Sequence, residues 1–410
     1  MANKEVYNID LSHGSGQRTS RSGASADRRR ATSTNAASRG TSSRGTAPRG
    51  GKSGGKKKMT RSQMRRKRRK TLLIVEVILL LLVLAFLFVW LKLGKINWDD
   101  LKNLRINKLD DETADLLDGY TNIALFGVDN RSNGNYDSGN SDSIMVCSIN
   151  NDTKEVKLIS VYRDTCFDVD GKETFRKCNY AYNHGGPEQA IEMLNRNMDL
   201  NIQKYVTVDF YALAEAIDAL GGITLDIPGD VASYMNAGYT AEVARVTGMK
   251  GGNVSAGVQR VNGTQAVSFC RIRYTAGGDF ARADRQRQVL QAMVDELSGA
   301  SVSDLNKLVN AVFDDIGTNL KLSQIIEMAS YVKDYKLVET KGFPFDMKTG
   351  SFGSQGSMNI PCTLESNVKK LHADLFGNEE MEVSSEVSKI SSKIQNFSGY
   401  GEGDALDYGY

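Results

Sequence analysis

Hydrophobic positions along this chain fall into three regimes. Residues 1–70 hold almost no large apolar side chains beyond the first dozen. Residues 72–91 are apolar without a break apart from Glu76. After about residue 119 the apolar residues return in short bursts, some alternating and some spaced three and four apart. Bursts of the first kind read as strands at 122–128, 143–149, 157–162, 205–208 and 223–227. Bursts of the second kind read as amphipathic helices. One covers 187–198, with Pro187 in its first turn and Ala190, Ile191 and Leu194 facing inward. Another covers 210–220 and closes at Gly221-Gly222. Strands and helices that alternate in this way predict an α/β domain, a central mixed sheet with helices on both faces. Residues 229–262 carry few signals. Helical spacing resumes at 302–316 and 322–332, and residues 345–380 are mixed.

Six segments follow from this pattern: a basic tail over 1–70, a membrane span over 71–93, a spacer over 94–118, a folded domain over 119–345, an extension packed near it over 346–382, and a Ser/Gly/acidic tail over 383–410. Low hydrophobicity predicts disorder for the first and last segments. The span at 72–91 is long enough to cross a bilayer as a helix. No small-residue cleavage site follows it, so it reads as a single-pass signal anchor. Charge decides its orientation. The whole chain is only +3, but residues 1–70 hold 20 Lys and Arg against 3 Asp and Glu, a surplus of 17, which leaves −14 for the rest. The run Met64-Arg-Arg-Lys-Arg-Arg-Lys70 abuts the span. Basic flanks stay in the cytoplasm, so the domain lies outside the cell membrane. With the span beside it, the basic run reads as a topology signal, and nucleic acid is not expected as a partner.

The candidate chemistry is carried by arginine and aspartate. Only three histidines are present, and the five cysteines form no CxxC pair, so a His-based triad or a zinc site is not expected. Arg271, Arg273, Arg282, Arg285 and Arg287 fall within residues 268–288. Read as a strand, 266–273 aims Arg271 and Arg273 to one side. Asp279 reads as the N-cap of a following helix, on which Arg282, Gln286, Val289 and Met293 share a face, with Arg285 beside them and Arg287 toward solvent. Arginines of one orientation beside a helix N-terminus suit a multiply charged anion; a solvated face with surface ion pairs is the bland alternative. Asp129 ends the first strand and Asp142 opens the second. If those strands are antiparallel neighbours, the two carboxylates meet at one end of the sheet and suit a hard cation, Mg²⁺ or Mn²⁺. Arg163-Asp164 ends the third strand. Cys166 and Cys178 are close enough in sequence to raise a disulfide as an expectation outside the cell.

Taken together and in order, Gly127-Val-Asp-Asn-Arg131, Ser141-Asp142-Ser143, Ser160-Val-Tyr-Arg-Asp-Thr165, Cys270-Arg-Ile-Arg273 and Asp279-Phe-Ala-Arg-Ala-Asp-Arg-Gln286 resemble the LytR-CpsA-Psr family. Asn179-Tyr-Ala181-Tyr182 with Gly185-Gly186, Asp218-Ala-Leu-Gly-Gly222 and Val261-Asn-Gly-Thr-Gln-Ala266 add to the likeness, which covers roughly residues 112–340. The resemblance implies transfer of a glycopolymer from a polyprenyl-pyrophosphate carrier to peptidoglycan. It implies Mg²⁺ held by Asp129 and Asp142. It also implies pyrophosphate contacts from Arg131, Arg163, Arg271, Arg273, Arg282 and Gln286, supported by Arg285. The family has an arginine just before the Ser-Asp pair; here Asn140 stands there, with Arg131 the nearby source of charge. Loss of a pyrophosphate ester needs positive charge more than covalent chemistry, which gives Arg163 and Arg273 a catalytic part. Asp142 and Asp164 are the two candidates for the base that takes the acceptor's proton. The lipid needs an apolar slot, for which Val289, Met293, Ile191 and Leu213 are candidates, packed core being the alternative. A polyprenyl-pyrophosphate hydrolase and a non-catalytic polyprenyl-phosphate receptor are the rival functions.

Overall fold

The computed structural model describes residues 97–98, 101, 103–129, 136, 139–312 and 315–409. The expected basic tail and the 72–91 span lie outside these residues, as does Arg131. Among the described residues no helix is long and apolar enough to cross a membrane.

The chain runs β1 (Asn97–Trp98), α1 (Asp111–Asp118), β2 (Tyr120–Val128), β3 (Ser141–Asn150), β4 (Glu155–Val161), β5 (Cys166–Asp168), β6 (Phe175–Lys177), α2 (Asn179–Met198), β7 (Lys204–Val208) and α3 (Phe210–Ala219). It continues with β8 (Ile223–Ile227), α4 (Gly229–Tyr234), a π-helical turn (Met235–Tyr239), α5 (Thr240–Thr247), β9 (Gly257–Val261), α6 (Gly263–Arg271) and α7 (Gly278–Gly299). It closes with α8 (Val302–Val312), β10 (Ile316–Thr318), α9 (Leu322–Ser330), β11 (Lys336–Phe343), β12 (Met347–Ser351), β13 (Ser357–Pro361), α10 (Leu364–Phe376) and α11 (Ser385–Ser398).

Seven strands form one sheet in the order β1-β10-β7-β2-β3-β4-β11. It is mixed. β2 pairs with β7 and β4 with β11 in parallel, while the β2–β3 and β3–β4 pairs are antiparallel. The period of two divides the central strands between two layers. Ala124, Phe126, Ile144 and Val146 enter the main core with α2, α10 and α11. Leu125, Met145, Val206 and Val208 face the opposite side, toward α3, α7 and α8. In α2 a break at Gly185 and Gly186 (φ 62°) precedes the segment that carries Ala190, Ile191 and Leu194, all fully buried. Burial of Ile191 and of Leu194 contributes about 1.5–3 kcal/mol each.

Four expectations are corrected. The stretch before Arg273 is helical, not extended. Asn262 caps α6, accepting from Gln265 N while the Gln265 side chain reaches back, a capping box that starts a helix where the apolar run alone suggested a strand. The strand at 223–227 forms, but it pairs only with β9 in a ribbon apart from the sheet. The tail from 383 is not disordered throughout: Ser384 caps α11, and Val387, Ile390 and Ile394, spaced three and four apart, are buried in the main core. Cys166 and Cys178 are both free thiols. β5–β6 pairing sets Cys166 opposite Lys177, and the Cys178 Sγ–H donates to the carbonyl of Tyr162 at 3.2 Å.

Candidate active site

The polar centre forms where three strand ends meet. In the β2–β3 ladder Gly127 faces Ser143 and Val128 faces Ser141, with a register shift between. A Cβ on Gly127 would lie 2.9 Å from that of Ser143, so only glycine permits this approach. The Asp129 N–H donates to the carbonyl of Asn140 at 3.3 Å, which brings the Asp129 and Asp142 ends of the two strands together as expected. β4 runs antiparallel to β3, with Ser160 opposite Met145. It therefore delivers Arg163 and Asp164 to the same end. From the other layer, Gly277 (φ 84°) turns the chain into α7, whose first turn carries Asp279, with Arg282 one turn on. Asp279 is thus a first-turn residue; Gly277 holds the cap position, with no side-chain cap.

Asp142 collects three arginines. Its Oδ1 lies 2.7 Å from Arg163 Nη1, and its Oδ2 lies 3.3 Å from Arg273 Nη2 and 3.6 Å from Arg282 Nη1. Arg282 Nη2 also donates to the Asp142 carbonyl at 3.1 Å. Asp279 joins the cluster on Arg282 (3.1 Å) and Arg163 (3.4 Å). Asp142 and Asp279 thus face three guanidinium groups, with Asp164 as a third carboxylate 3.9 Å from Arg163 Nε. Burial pushes the Arg282 guanidinium down to about 10, against the pull of Asp279 and Asp142. It is still charged at neutral pH. Burial also opposes the charge on Arg163, yet Asp279, Asp142 and Asp164 together hold it above the ordinary value. Asp164 pairs with Lys177 at 3.1 Å.

Not every expected arginine joins this cluster. Arg271 pairs with Glu242 at 3.4 Å and lies over the Phe210 ring, although it still borders the cleft. Arg285 is buried and donates to the carbonyl of Ile272, tying α7 to the segment after α6. Arg287 was expected toward solvent; it is buried and pairs with Asp284 at 3.0 Å, because β8 and β11 pack against α7.

The cluster stands at one end of a cleft of about 530 Å³ between the sheet and α3, α7 and α8. Asp129, Asp142, Arg273, Arg282 and Gln286 line its polar end. The remainder is apolar. Leu213, Val289 and Met293 line it as expected, together with Leu125, Val206, Leu308 and Val312. Ile191 does not; it sits in the main core on the far face of the sheet. Asp129 Oδ1 is buried here with no hydrogen-bond partner among the described residues, an orphaned acceptor that fits a cation held between Asp129 and Asp142. Among the described residues no group of three or more His, Cys, Asp or Glu side chains is arranged to hold a metal. Sequence reasoning missed the pairing role of Asp279 and the strand contribution to the apolar wall. The alternation of Leu125 with Phe126 was the available signal for the wall.

The sequence profile described as the LytR_cpsA_psr family matches residues 94–362. A polyisoprenyl-teichoic acid–peptidoglycan teichoic acid transferase TagV from Bacillus subtilis (strain 168) is 29% identical over 232 residues, 56% of this chain and 57% of TagV. A transferase of the same description, TagU from Bacillus mycoides (strain KBAB4), is 32% identical over 216 residues, 52% of this chain and 64% of TagU. The match therefore spans less than two thirds of either relative. The crystal structure of B. subtilis TagV superposes with a TM-score of 0.52 at 24% identity, covering 64% of this chain and 98% of that one. Protein gbs0355 from Streptococcus agalactiae gives 0.54 at 24% identity, covering 68% and 93%. At that identity the two structures establish the shared mixed α/β fold alone. The profile match covers well over half of the chain, and on that match the chain belongs to the LytR-CpsA-Psr family.

Proposed function

We propose that this chain is a membrane-anchored, extracytoplasmic phosphotransferase. It moves a glycopolymer from a polyprenyl-pyrophosphate carrier onto peptidoglycan. The observation that carries this reading is the single cleft that joins an arginine cluster to an apolar chamber. A polyprenyl pyrophosphate has the same two-part chemistry, a multiply charged head on an apolar tail. The TagV and TagU relatives, teichoic acid transferases to peptidoglycan, support it. The 72–91 span would hold the protein in the membrane with residues 1–70 in the cytoplasm.

In this reading Arg163, Arg273 and Arg282 bind the pyrophosphate oxygens, each charge-assisted contact contributing about 1.5–3 kcal/mol. They stay in place as charge develops on the leaving phosphate, which lowers the barrier without reorganisation. Gln286 adds a neutral donor. Arg271 borders the head group, and Arg285 acts through the backbone it anchors. Asp129 and Asp142 are the residues that would hold Mg²⁺ or Mn²⁺, which when bound supplies Lewis-acid neutralisation of the pyrophosphate. A carboxylate at the same strand ends takes the proton of the acceptor hydroxyl, and Asp142 and Asp164 are the two that stand there. Leu213, Val289 and Met293 exclude water from the lipid.

The test uses full-length protein in detergent–lipid micelles with a synthetic polyprenyl-pyrophosphate disaccharide and isolated peptidoglycan. The expected result is disaccharide covalently attached to peptidoglycan, dependent on added Mg²⁺. Phosphate release without attachment would make the chain a hydrolase. Saturable binding with no turnover would make it a receptor.

A further inference from the structure

A second, smaller cleft of about 340 Å³ opens at the opposite end of the sheet. β2 begins there at Tyr120 and ends beside Asp129. The eight steps between them span about 26 Å at the usual rise of a strand. The two clefts share no lining residue.

The chemistry of this second cleft differs from that of the first. Its charges balance, with Asp118 and Glu327 against Lys154 and Lys204. That balance gives no preference for an anion such as phosphate. Carboxamides recur in the lining, at Asn122, Asn151, Asn201, Gln203 and Gln324. Tyr331 and Tyr335 supply aromatic wall. Tyr331 is 39% exposed, and the Lys154 ammonium lies 4.6 Å from its ring centroid, which steadies the ring. On the floor, Asn122 is 5% exposed. Its Nδ2 donates to Asn201 Oδ1 at 2.8 Å, but its own Oδ1 has no partner. That oxygen is buried and lies on the same face of β2 as Ala124 and Phe126, so the Asn122–Asn201 pair supports the floor from behind it.

The geometry points to a binding site for an uncharged oligosaccharide, one that operates apart from the pyrophosphate cleft. Hydroxyl groups fit the lining on both counts. They accept from carboxamide N–H groups and donate to the carboxamide and carboxylate oxygens of the lining. Apolar sugar faces pack on tyrosine rings whose polar tips remain wet. A volume at the lower end of the range for ligand clefts takes one or two sugar rings, such as part of a longer strand. Two sources offer this chemistry on the proposed function: the glycan of the wall acceptor and the sugar of the transferred polymer. A strand held about 26 Å from the reacting end would keep the protein on its polymeric partner between turnovers.

The test is calorimetric titration of the full-length chain in micelles with two probes, chitotetraose for an N-acetylated wall glycan and cellotetraose for a plain glucan. Binding of chitotetraose assigns the wall source, and binding of cellotetraose alone assigns the polymer source. Tyr331→Ala and Gln203→Ala should each weaken the bound probe at least ten-fold. Tyr331→Ala, changed at the surface, should keep the wild-type unfolding temperature, so lost binding in that variant is not lost folding. Arg273→Ala should leave sugar binding unchanged while it removes transfer, so failure of either reading is distinguishable from failure of the other. No heat with either probe at millimolar concentration, or affinity that survives Tyr331→Ala intact, overturns the proposal.

Discussion

Arg273 and Arg282 reach the same carboxylate, yet they should behave differently when removed. The Arg273 side chain is 42% exposed and that of Arg282 is 4% exposed. An exposed pair contributes about 0–1 kcal/mol to stability, so Arg273→Ala should unfold within a degree or two of the wild type. Arg282→Ala is another case. It strips two bonds from Asp279 and Asp142 and leaves both carboxylates facing each other with only Arg163 and Arg273 to compensate. Breaking a buried ion pair costs about 3–5 kcal/mol. The two carboxylates are still 21% and 23% exposed, which puts the loss at the lower end, near 3 kcal/mol. For a folded unit of about 300 residues that is a fall of about 4–6 °C in the unfolding midpoint. Transfer should fail in both variants. For Arg273→Ala the loss of one charge-assisted contact predicts a roughly ten- to hundred-fold fall in substrate affinity. Arg273→Lys should recover only part of it, because an ammonium cannot make the forked contact. Scanning calorimetry beside the transfer assay separates the two. If Arg282→Ala melts at the wild-type temperature while Arg273→Ala melts early, the burial argument is wrong.

Arg287→Ala should lower the unfolding midpoint by several degrees and leave turnover per folded molecule unchanged, since Arg287 is buried against Asp284 and borders no part of the large cleft; a dead but fully stable variant would contradict this. Ile390→Ala, in the core face of α11, should cost about 2–5 kcal/mol in urea titration, whereas a loosely attached tail would give no change. Burial holds the His372 imidazole below its ordinary value, with its Nε2 on the carbonyl of Met198. The unfolded chain therefore takes up a proton first as the pH falls through about 6.5, so stability should decline below that pH. His372→Gln should flatten that part of the pH profile, and an unchanged slope would show that other groups cause it.

Much of this architecture was legible before any coordinates. The expectation of a membrane span at 72–91 rests on local signals alone, since bilayer thickness and charge bias act on a segment without reference to the rest of the fold, and it lies outside the described residues. The alternation through 122–128 and 143–149 placed Asp129 and Asp142 at strand ends, and two antiparallel neighbours necessarily bring those ends together. Helix α3 was equally readable, from its apolar spacing and the glycine pair behind it.

The arginines were not separable in this way. Arg271, Arg273, Arg282, Arg285 and Arg287 look alike in sequence, and a guanidinium on a long stem takes whatever partner the fold brings within reach. Glu242 on α5 captures Arg271, the Ile272 carbonyl takes Arg285, and packing of β8 and β11 on α7 buries Arg287. Only Arg273 and Arg282 then reach Asp142, joined by Arg163 from another strand. The Arg273 and Arg282 contacts with Asp142 span 131 and 140 residues of chain, and no local pattern encodes them. The tail behaved likewise. Its Ser/Gly composition argued for disorder, but three apolar residues at helical spacing suffice once a core exists to receive them. Composition sets how much a segment can bury by itself. Whether it is ordered depends on the surface that the rest of the chain offers it.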